Sequence, residues 1–241
     1  MLQEPSINVI VPVRNRDIEL HQLVNNLSKI LYAQGIKFKF FIVFQDDVLE
    51  FNRGILINTG FLLSLEHNFS HSYLITDVDI WPLSIDTVNY KITLENNTMY
   101  HFFGRKICLG CFMMCNKLTF LKINGFSNSY NGWGCEDVDL QWRCASKNIS
   151  INRDNFCHRE SNNGLYRDVY REESAKNRRS KLEYARKNTF PIFKKKWLEP
   201  IINFDSSEID QDGLSSVKEK ISYRCESEPP HLIKIYTKII K

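Results

Sequence analysis

INVIVPVRNRDIELHQLVNNLSKILYAQGIKFKFFIVF, residues 7–44, is the stretch that decides the fold. Ile7 to Val13 is a nearly continuous β-branched run, the pattern of a strand buried on both faces. Leu20, Leu23, Val24, Leu27, Ile30 and Leu31 then recur at spacings of three and four, which predicts an amphipathic helix terminated by Gly35. Phe38 to Phe44 predicts a second buried strand. Such a β-α-β unit implies a parallel sheet, and ligands of these sheets gather beyond the carboxyl ends of the strands. Arg14 and Arg16 lie at such an end, as partners for a phosphate or as plain surface charges.

Downstream, Phe51-Asn52-Arg53 precedes a helix predicted over Gly54 to His67, and Tyr73 to Thr76 predicts a short strand that delivers Asp77-Val78-Asp79 at its end. Alternating carboxylates there point the same way and can hold a divalent ion that clamps a diphosphate; capping of a turn is the plainer alternative. Leu83 to Arg105 reads as a polar, irregular surface excursion with an edge strand, Ile107 to Cys115 as the next buried strand, and Lys117 to Ile123 as a short helix.

Asn124 to Arg143, NGFSNSYNGWGCEDVDLQWR, sets Trp133 between Gly132 and Gly134 directly before Glu136 and Asp137. The glycines free the backbone so that the indole can swing over a ligand, and the ring has little to pack against in its own loop. Glu136, Asp137 and Asp139 fall in the first turn of a predicted helix, where carboxylates also serve simply to complement the helix dipole. His158 follows in what reads as a flexible loop, suited to a further metal ligand, although a lone histidine is more often structural. A basic helical segment comes next, then Asp212-Gly213 as a turn and a β-like tail through Tyr223 and Ile233 to Ile240.

With 241 residues, 43% of them apolar and 25% charged, the chain can bury one substantial core. The reading is a single domain over 1–241, with a nucleotide-binding half at about 1–82, an acceptor and lid half at about 83–220 and a tail at 221–241. The net charge of +4 is uneven, since Leu165 to Pro200 carries eleven Lys and Arg against five acids. That segment reads as a solvated basic face, with contact to an anionic membrane surface as the alternative. No recognition motif accompanies the charge, so nucleic acid is excluded as a partner. No apolar run approaches the roughly 18 residues of a spanning helix, and the first residues lack the basic region of a secretory signal. A cytoplasmic enzyme is expected, or a Golgi or other lumenal catalytic domain separated from its anchor. Seven cysteines, three of them in the apolar run at 108–115, suit buried small hydrophobes in a reducing compartment.

Taken in order, VPVRNR at 11–16, FNRGILINTGF at 51–61, DVDIWP at 77–82, FLKINGFSNSYNGWGCEDVDL at 120–140, His158 and DGLSSV at 212–217 resemble the β-1,4-galactosyltransferases, glycosyltransferase family 7. The resemblance runs from about Val9 to about Val217 and is similar to a bacterial or viral-type member without stem or anchor. It implies an α/β glycosyltransferase-A fold, a Rossmann-like mixed sheet flanked by helices. It also implies a metal-dependent inverting transfer of galactose or N-acetylgalactosamine from UDP to a glycan acceptor, giving a β-linkage. On this resemblance Arg14 and Arg16 contact the diphosphate, Phe51 and Arg53 hold the uridine, and Asp77, Val78, Cys108 and Trp133 line the donor site. Asp79 and His158 hold Mn²⁺, Glu136, Asp137 and Trp133 bind the acceptor, and Asp137 is the general base.

Two departures from the family pattern bear on ligands. Asn155 stands where a Met ligand is usual, and its harder oxygen leaves room for Mg²⁺. Cys108 stands where galactose-specific members have Tyr, and the smaller side chain makes space for an N-acetyl group, which points to UDP-GalNAc beside UDP-Gal. A capsule or glycosaminoglycan-type polymerase using another UDP-sugar, and an inactive carbohydrate- or UDP-binding relative, remain the alternatives.

Overall fold

The computed structural model describes residues 5–172, 175–199, 207–228 and 231–240. The opening stretch folds as its pattern predicts: strand β1 (Ser6–Val13), helix α1 (Asp17–Ala33) and strand β2 (Lys37–Gln45), with β1 and β2 parallel in a register from Ser6 opposite Lys37 to Val13 opposite Phe44. Helix α2 (Arg53–His67) leads to β3 (Ser72–Thr76), which pairs in parallel with the other edge of β1. Alternate residues of β1 serve opposite faces. Val9, Val11 and Val13 pack with Leu23, Leu27 and Leu31 of α1, whereas Ile10 packs with Leu56, Ile57 and Phe61 of α2. A Cβ on Gly60 would lie 2.8 Å from Val43 and 2.9 Å from Ile10, so this glycine lets α2 lie directly on the sheet. Because the chain leaves β1 toward β2 on one side and returns to β3 on the other, a crevice opens at the carboxyl ends of β1 and β3.

The remaining strands are β4 (Ile80–Pro82), β5 (Thr98–Gly104), β6 (Phe112–Asn116), β7 (Ser150–Asn152), β8 (Cys157–His158), β9 (Tyr166–Asp168), β10 (Ile221–Glu228) and β11 (Leu232–Ile239). The large sheet runs β10-β11-β2-β1-β3-β6-β5-β7, with β8 also on β5, while β4 and β9 form a separate antiparallel pair. β6 is antiparallel to β3 and β5 antiparallel to β6, so the sheet is mixed, as expected. The other helices are α3 (Lys117–Lys122), α4 (Glu136–Ser146), α5 (Val169–Glu172), α6 (Ala175–Lys187), α7 (Thr189–Phe193), α8 (Ser207–Gln211) and α9 (Leu214–Val217).

Three expectations need correction. The apolar run from Ile107 is not a strand until Phe112: Ile107 is 71% exposed, and Leu109, Gly110 and Cys111 are irregular backbone in which Cys111 adopts φ +65°. Their apolar character serves burial beneath the crevice, which strand patterning cannot distinguish from sheet burial. Within Leu83 to Arg105, β5 is an interior strand buried at every position, hidden from pattern reading by its polar flanks and by His101. Of the segment expected as a tail over 221–241, the described strands β10 (Ile221–Glu228) and β11 (Leu232–Ile239) are integral to the sheet, since β11 extends it in parallel beside β2.

Candidate functional site

The crevice is furnished by three pieces of chain. β3 ends in Asp77-Val78-Asp79, α2 begins with Arg53, and α4 begins with Glu136 and Asp137. Arg53 is the joint between them. Its Nε lies 2.6 Å from Asp77 Oδ1 and its Nη1 2.8 Å from Asp137 Oδ1, with the guanidinium stacked over Phe126 at 5.1 Å. Arg53 is 8% exposed, and its third nitrogen, Nη2, is buried without a protein partner. Burial would weaken the cation, but Asp137, then Asp77 and Glu136, outweigh that and raise its pKa, so it stays charged.

The placement of Arg53 follows from its neighbours in sequence. Asn52 caps α2 by accepting from the Ile55 N–H at 2.9 Å, and its amide donates to Asn128 O at 2.9 Å and Asn131 Oδ1 at 3.1 Å. Asn58, two turns on, donates to Phe126 O at 2.8 Å and accepts from the Phe126 N–H at 3.0 Å. A Cβ on Gly54 would stand 2.3 Å from Ser127 O, and one on Gly125, at φ +62°, 2.3 Å from Asn58 Oδ1. The asparagines and glycines of the FNRGILIN and NGFSN segments therefore lock α2 against the loop that leads into α4.

The carboxylates differ in proton affinity. Burial, then the charge of Asp137, pushes Glu136 up to about 8, against the opposing pull of Arg53, and Glu136 Oε2 is buried without a partner. Burial raises Asp137 to about 6 although Arg53 opposes it. Near neutral pH the pair thus favours a protonated Glu136 beside an ionised Asp137. Asp79 is raised to about 6 by burial and then by Asp77, against Arg159 and Arg16. Among the described residues no hydrogen bond to the Asp79 carboxylate is seen, and the cations that act on it are Arg159 and Arg16.

That bears on the metal. Among the described residues no group of three or more His, Cys, Asp or Glu side chains forms a metal cluster. Asp79 and His158 are the two residues expected to hold an ion, and an oxygen and an imidazole nitrogen are a donor set that Mn²⁺ accepts. His158 lies in β8, held on β5 opposite Gly104, and a short 3-10 turn follows, so it is on fixed backbone rather than in the flexible loop expected. Its Nδ1 accepts from the Glu160 N–H at 3.2 Å, so coordination through Nε2 would move the ring proton to Nδ1 and release that bond. Asn155 is exposed in the preceding turn.

The other expected residues are more dispersed. Arg16 pairs with Glu19 at 2.9 Å near Asp79, whereas Arg14 donates to Leu49 O in the loop before Phe51. Phe51 is half-buried, and its carbonyl accepts from the Gly132 N–H at 2.8 Å, tying the α2 entry to the Trp133 loop. Val78 is buried. Cys108 is half-buried beside Asp137, and burial first, then the nearby carboxylate, pushes its thiol up to about 12, so it is neutral.

Trp133 finds its packing partner outside its own loop. It stacks on Tyr170 with the rings 8° from parallel and centroids 6.4 Å apart, and Arg159 and Lys181 lie over the Tyr170 ring at 4.9 and 4.7 Å. Nor are the flanking glycines only sources of freedom. Gly132, at φ +80°, and Gly134, at φ +107°, bring the loop against α6, where a Cβ would meet Tyr184 at 2.3 Å and Ala185 at 2.9 Å respectively.

Several residues escape a reading of sequence alone. Gly110 lies against the Asp137 carboxyl, and an added Cβ there would be 2.1 Å from Asp137 Cγ. Its carbonyl is held by buried His101 at 3.1 Å, and Arg153 Nε donates to the other ring nitrogen at 3.1 Å, which fixes Nε2 as the proton-bearing atom. Arg159 forms an ion pair with Asp168 at 2.7 Å, flanking Asp79. Below α4, Asp139 accepts from Arg143 at 2.6 Å, Trp197 at 2.6 Å and Tyr130 at 3.1 Å, and Asp212 of the DGLSSV segment accepts from Arg143 at 3.1 Å. The third carboxylate of the first turn is therefore structural. No local signal in the sequence marks Gly110 or His101 for these roles, because the groups they meet come from elsewhere in the chain.

With this geometry, comparison with known proteins is specific. A family model for the N-terminal region of glycosyl transferase group 7 matches residues 2–92, and a second, described as the N-terminal domain of galactosyltransferase, matches residues 92–166. β-1,4-Galactosyltransferase 4 of Cricetulus griseus is 31% identical over 156 residues, covering 62% of this chain and 45% of the relative. Xylosylprotein 4-β-galactosyltransferase of Caenorhabditis elegans is 29% identical over 165 residues, covering 64% and 55%. A β-1,4-N-acetylglucosaminyl-transferase of Lymnaea stagnalis is 32% identical over 167 residues, covering 66% and 33%. The matched part thus spans about half, or less, of these curated relatives. Among solved structures, a Drosophila β-1,4-galactosyltransferase 7 mutant in complex with manganese, UDP-Gal and xylobiose superposes with a TM-score of 0.68 at 20% identity, covering 98% of this chain and 95% of that one, a likeness of fold.

Proposed function

The chain belongs to glycosyltransferase group 7 and has the glycosyltransferase-A fold, and from that premise we propose that it is a metal-dependent inverting transferase moving galactose or N-acetylgalactosamine from a UDP-sugar to a glycan acceptor. The observation that carries the reading is Arg53, which joins the carboxylate at the end of β3 to the one at the start of α4 in one crevice. A donor-side and an acceptor-side acid are thereby held at a fixed separation.

In this reading Asp137 takes the proton of the acceptor hydroxyl as that oxygen attacks the anomeric carbon, opposite the departing UDP. One displacement inverts the configuration, giving a β-glycoside, with a β-1,4 linkage as the specific proposal. Arg53 keeps Asp137 ionised, while Glu136, neutral up to about pH 8, donates a hydrogen bond to the acceptor. Trp133 closes over the sugars from its place against Tyr170. Arg14, Arg16, Phe51 and Arg53 are assigned to the uridine diphosphate, and Asp77, Val78 and Cys108 to the donor sugar. Asp79 and His158 would hold Mn²⁺, or Mg²⁺, which when bound neutralises charge on the leaving diphosphate.

The small neutral side chain of Cys108 supports an N-acetylated donor, as does a group 7 relative named as an N-acetylglucosaminyl-transferase. UDP release should be measured with UDP-Gal and UDP-GalNAc in parallel, with Mn²⁺, Mg²⁺ or EDTA, against GlcNAc-, glucose- and xylose-terminated acceptors. Acceptor-stimulated release that needs metal and vanishes in Asp137→Asn is expected. UDP binding without release from either donor would refute the proposal in favour of a binding protein or another donor. Faster release from UDP-Gal, unchanged in Cys108→Tyr, would remove the GalNAc assignment.

A further inference from the structure

We propose that the outer surface of α6 and α7 docks on an anionic lipid bilayer. The inner side of these helices is already committed: Tyr184 and Ala185 back Gly132 and Gly134, Lys181 covers Tyr170, and Thr189 donates to Trp133 O at 3.3 Å. On the opposite side Arg179, Leu182, Glu183 and Arg186, at helical spacings of three and four, share one outward face. With Arg178 they line an open concavity of about 400 Å³.

The chemistry of the face singles out its occupant. Along α6, α7 and the π-helical turn Lys194–Leu198 that continues α7, Lys176, Arg179, Arg186, Lys187, Lys194 and Lys195 are all exposed, and so are four large apolar side chains, Leu182, Phe190, Ile192 and Leu198. Of the two exposed acids here, Glu183 and Glu199, the second is paired with Lys194 at 3.5 Å. A merely solvated basic face does not account for four exposed apolar side chains, and three of the four are aliphatic, leaving only the Phe190 ring as a surface on which a base could stack. A bilayer surface takes both kinds at once, with apolar side chains entering the headgroup boundary and cations meeting anionic lipids. No helix among the described residues is long and apolar enough to cross a membrane, so such contact is peripheral. The same helices support the Trp133 loop, so docking holds that loop near the lipid surface. The binding itself does not depend on the transferase reading.

The test is cosedimentation of the purified full chain with vesicles of phosphatidylcholine, with or without phosphatidylglycerol, at low and high salt. Binding is expected only with the anionic lipid, weakened about tenfold by high salt. Arg179→Glu with Arg186→Glu should lower it by about tenfold or more, and Leu182→Ser with Phe190→Ser should lower it severalfold with no change of charge. Thermal melts check that each variant folds, and Lys187→Glu with Lys195→Glu serves if the arginine pair does not. Absence of binding to anionic vesicles overturns the proposal. So does binding that the Leu182 and Phe190 changes leave intact, since that marks generic attraction to any polyanion.

Discussion

Gly110 shows how much one absent side chain can control. Its backbone is not in the left-handed region, so alanine is conformationally acceptable there, yet the added carbon would stand 2.1 Å from Asp137 Cγ. The carboxyl must then turn away, because His101 and Arg153 hold the Gly110 backbone from behind. With Asp137 as the proposed base, displacing it by about 1 Å would cost on the order of a hundredfold in rate. Gly110→Ala should therefore lower acceptor-stimulated UDP release by about that factor, with UDP affinity changed far less. Steady-state kinetics beside a UDP titration separate the two, and a turnover number equal to wild type would remove Gly110 from the geometry of the base. At this scale the sequence is a partial guide. Asp77, Asp79, Glu136 and Asp137 stand out as charges placed after buried runs or at a helix start, whereas Gly110 acquires its meaning only from a helix that follows 26 residues later, at Glu136.

The start of α4 concentrates charge at a cost in stability. Glu136 titrates at 4.5 when unfolded and is pushed up to about 8 in the fold, by burial first and by Asp137 second. A raised folded pKa gives a contribution that is fully present below 4.5 and lost as the pH rises through about 8. Asp137 and Asp79, each raised to about 6, act in the same direction. Glu136→Gln removes one of these burdens. Its thermal midpoint in EDTA should match wild type near pH 4, below the unfolded value of 4.5, and exceed it by roughly 2–8 °C or more near pH 8.5. A constant offset across that range in calorimetry would show that Glu136 does not titrate as its surroundings dictate. Elements themselves were legible where one period dominates. β1, α1, β2, α2 and α4 follow directly from apolar runs and three-four spacing, because burial on two faces or on one stripe leaves such a pattern. The pattern misleads at Ile107–Cys111, whose apolar residues cover a site rather than a sheet, and at β5, whose buried His101 is satisfied by hydrogen bonds that no local pattern announces.

Across the whole molecule the sheet is closed at one side by the last segment of chain, which sequence alone suggested was a tail. β11 lies parallel to β2 from Leu232 opposite Phe40 to Thr237 opposite Gln45, and Ile233 and Ile235 are buried in the core formed with Phe41, Val43 and α2. β10 then covers β11 and presents Arg224, Cys225, Glu226 and other exposed side chains at the outer edge, a charged rim that discourages edge pairing. The hairpin also reaches the crevice. Asp47 accepts from the Ile239 N–H at 2.7 Å and from the Leu49 N–H at 2.8 Å, steadying the loop that Arg14 grips and that leads to Phe51. Removing 221–241 would leave β2, with Phe38, Phe40, Phe41, Ile42, Val43 and Phe44, as an open apolar edge. Such an edge is a template for pairing with other chains. A chain ending at Lys220 should accumulate as aggregate and lack a cooperative thermal transition, whereas Cys225→Ser, on the exposed rim, should stay within about 0.5 kcal/mol of wild type in urea unfolding. Size-exclusion chromatography and calorimetry of the two proteins decide the matter. A monomeric, cooperatively melting 1–220 chain would make the hairpin an appendage and require another explanation for the burial of Ile233 and Ile235.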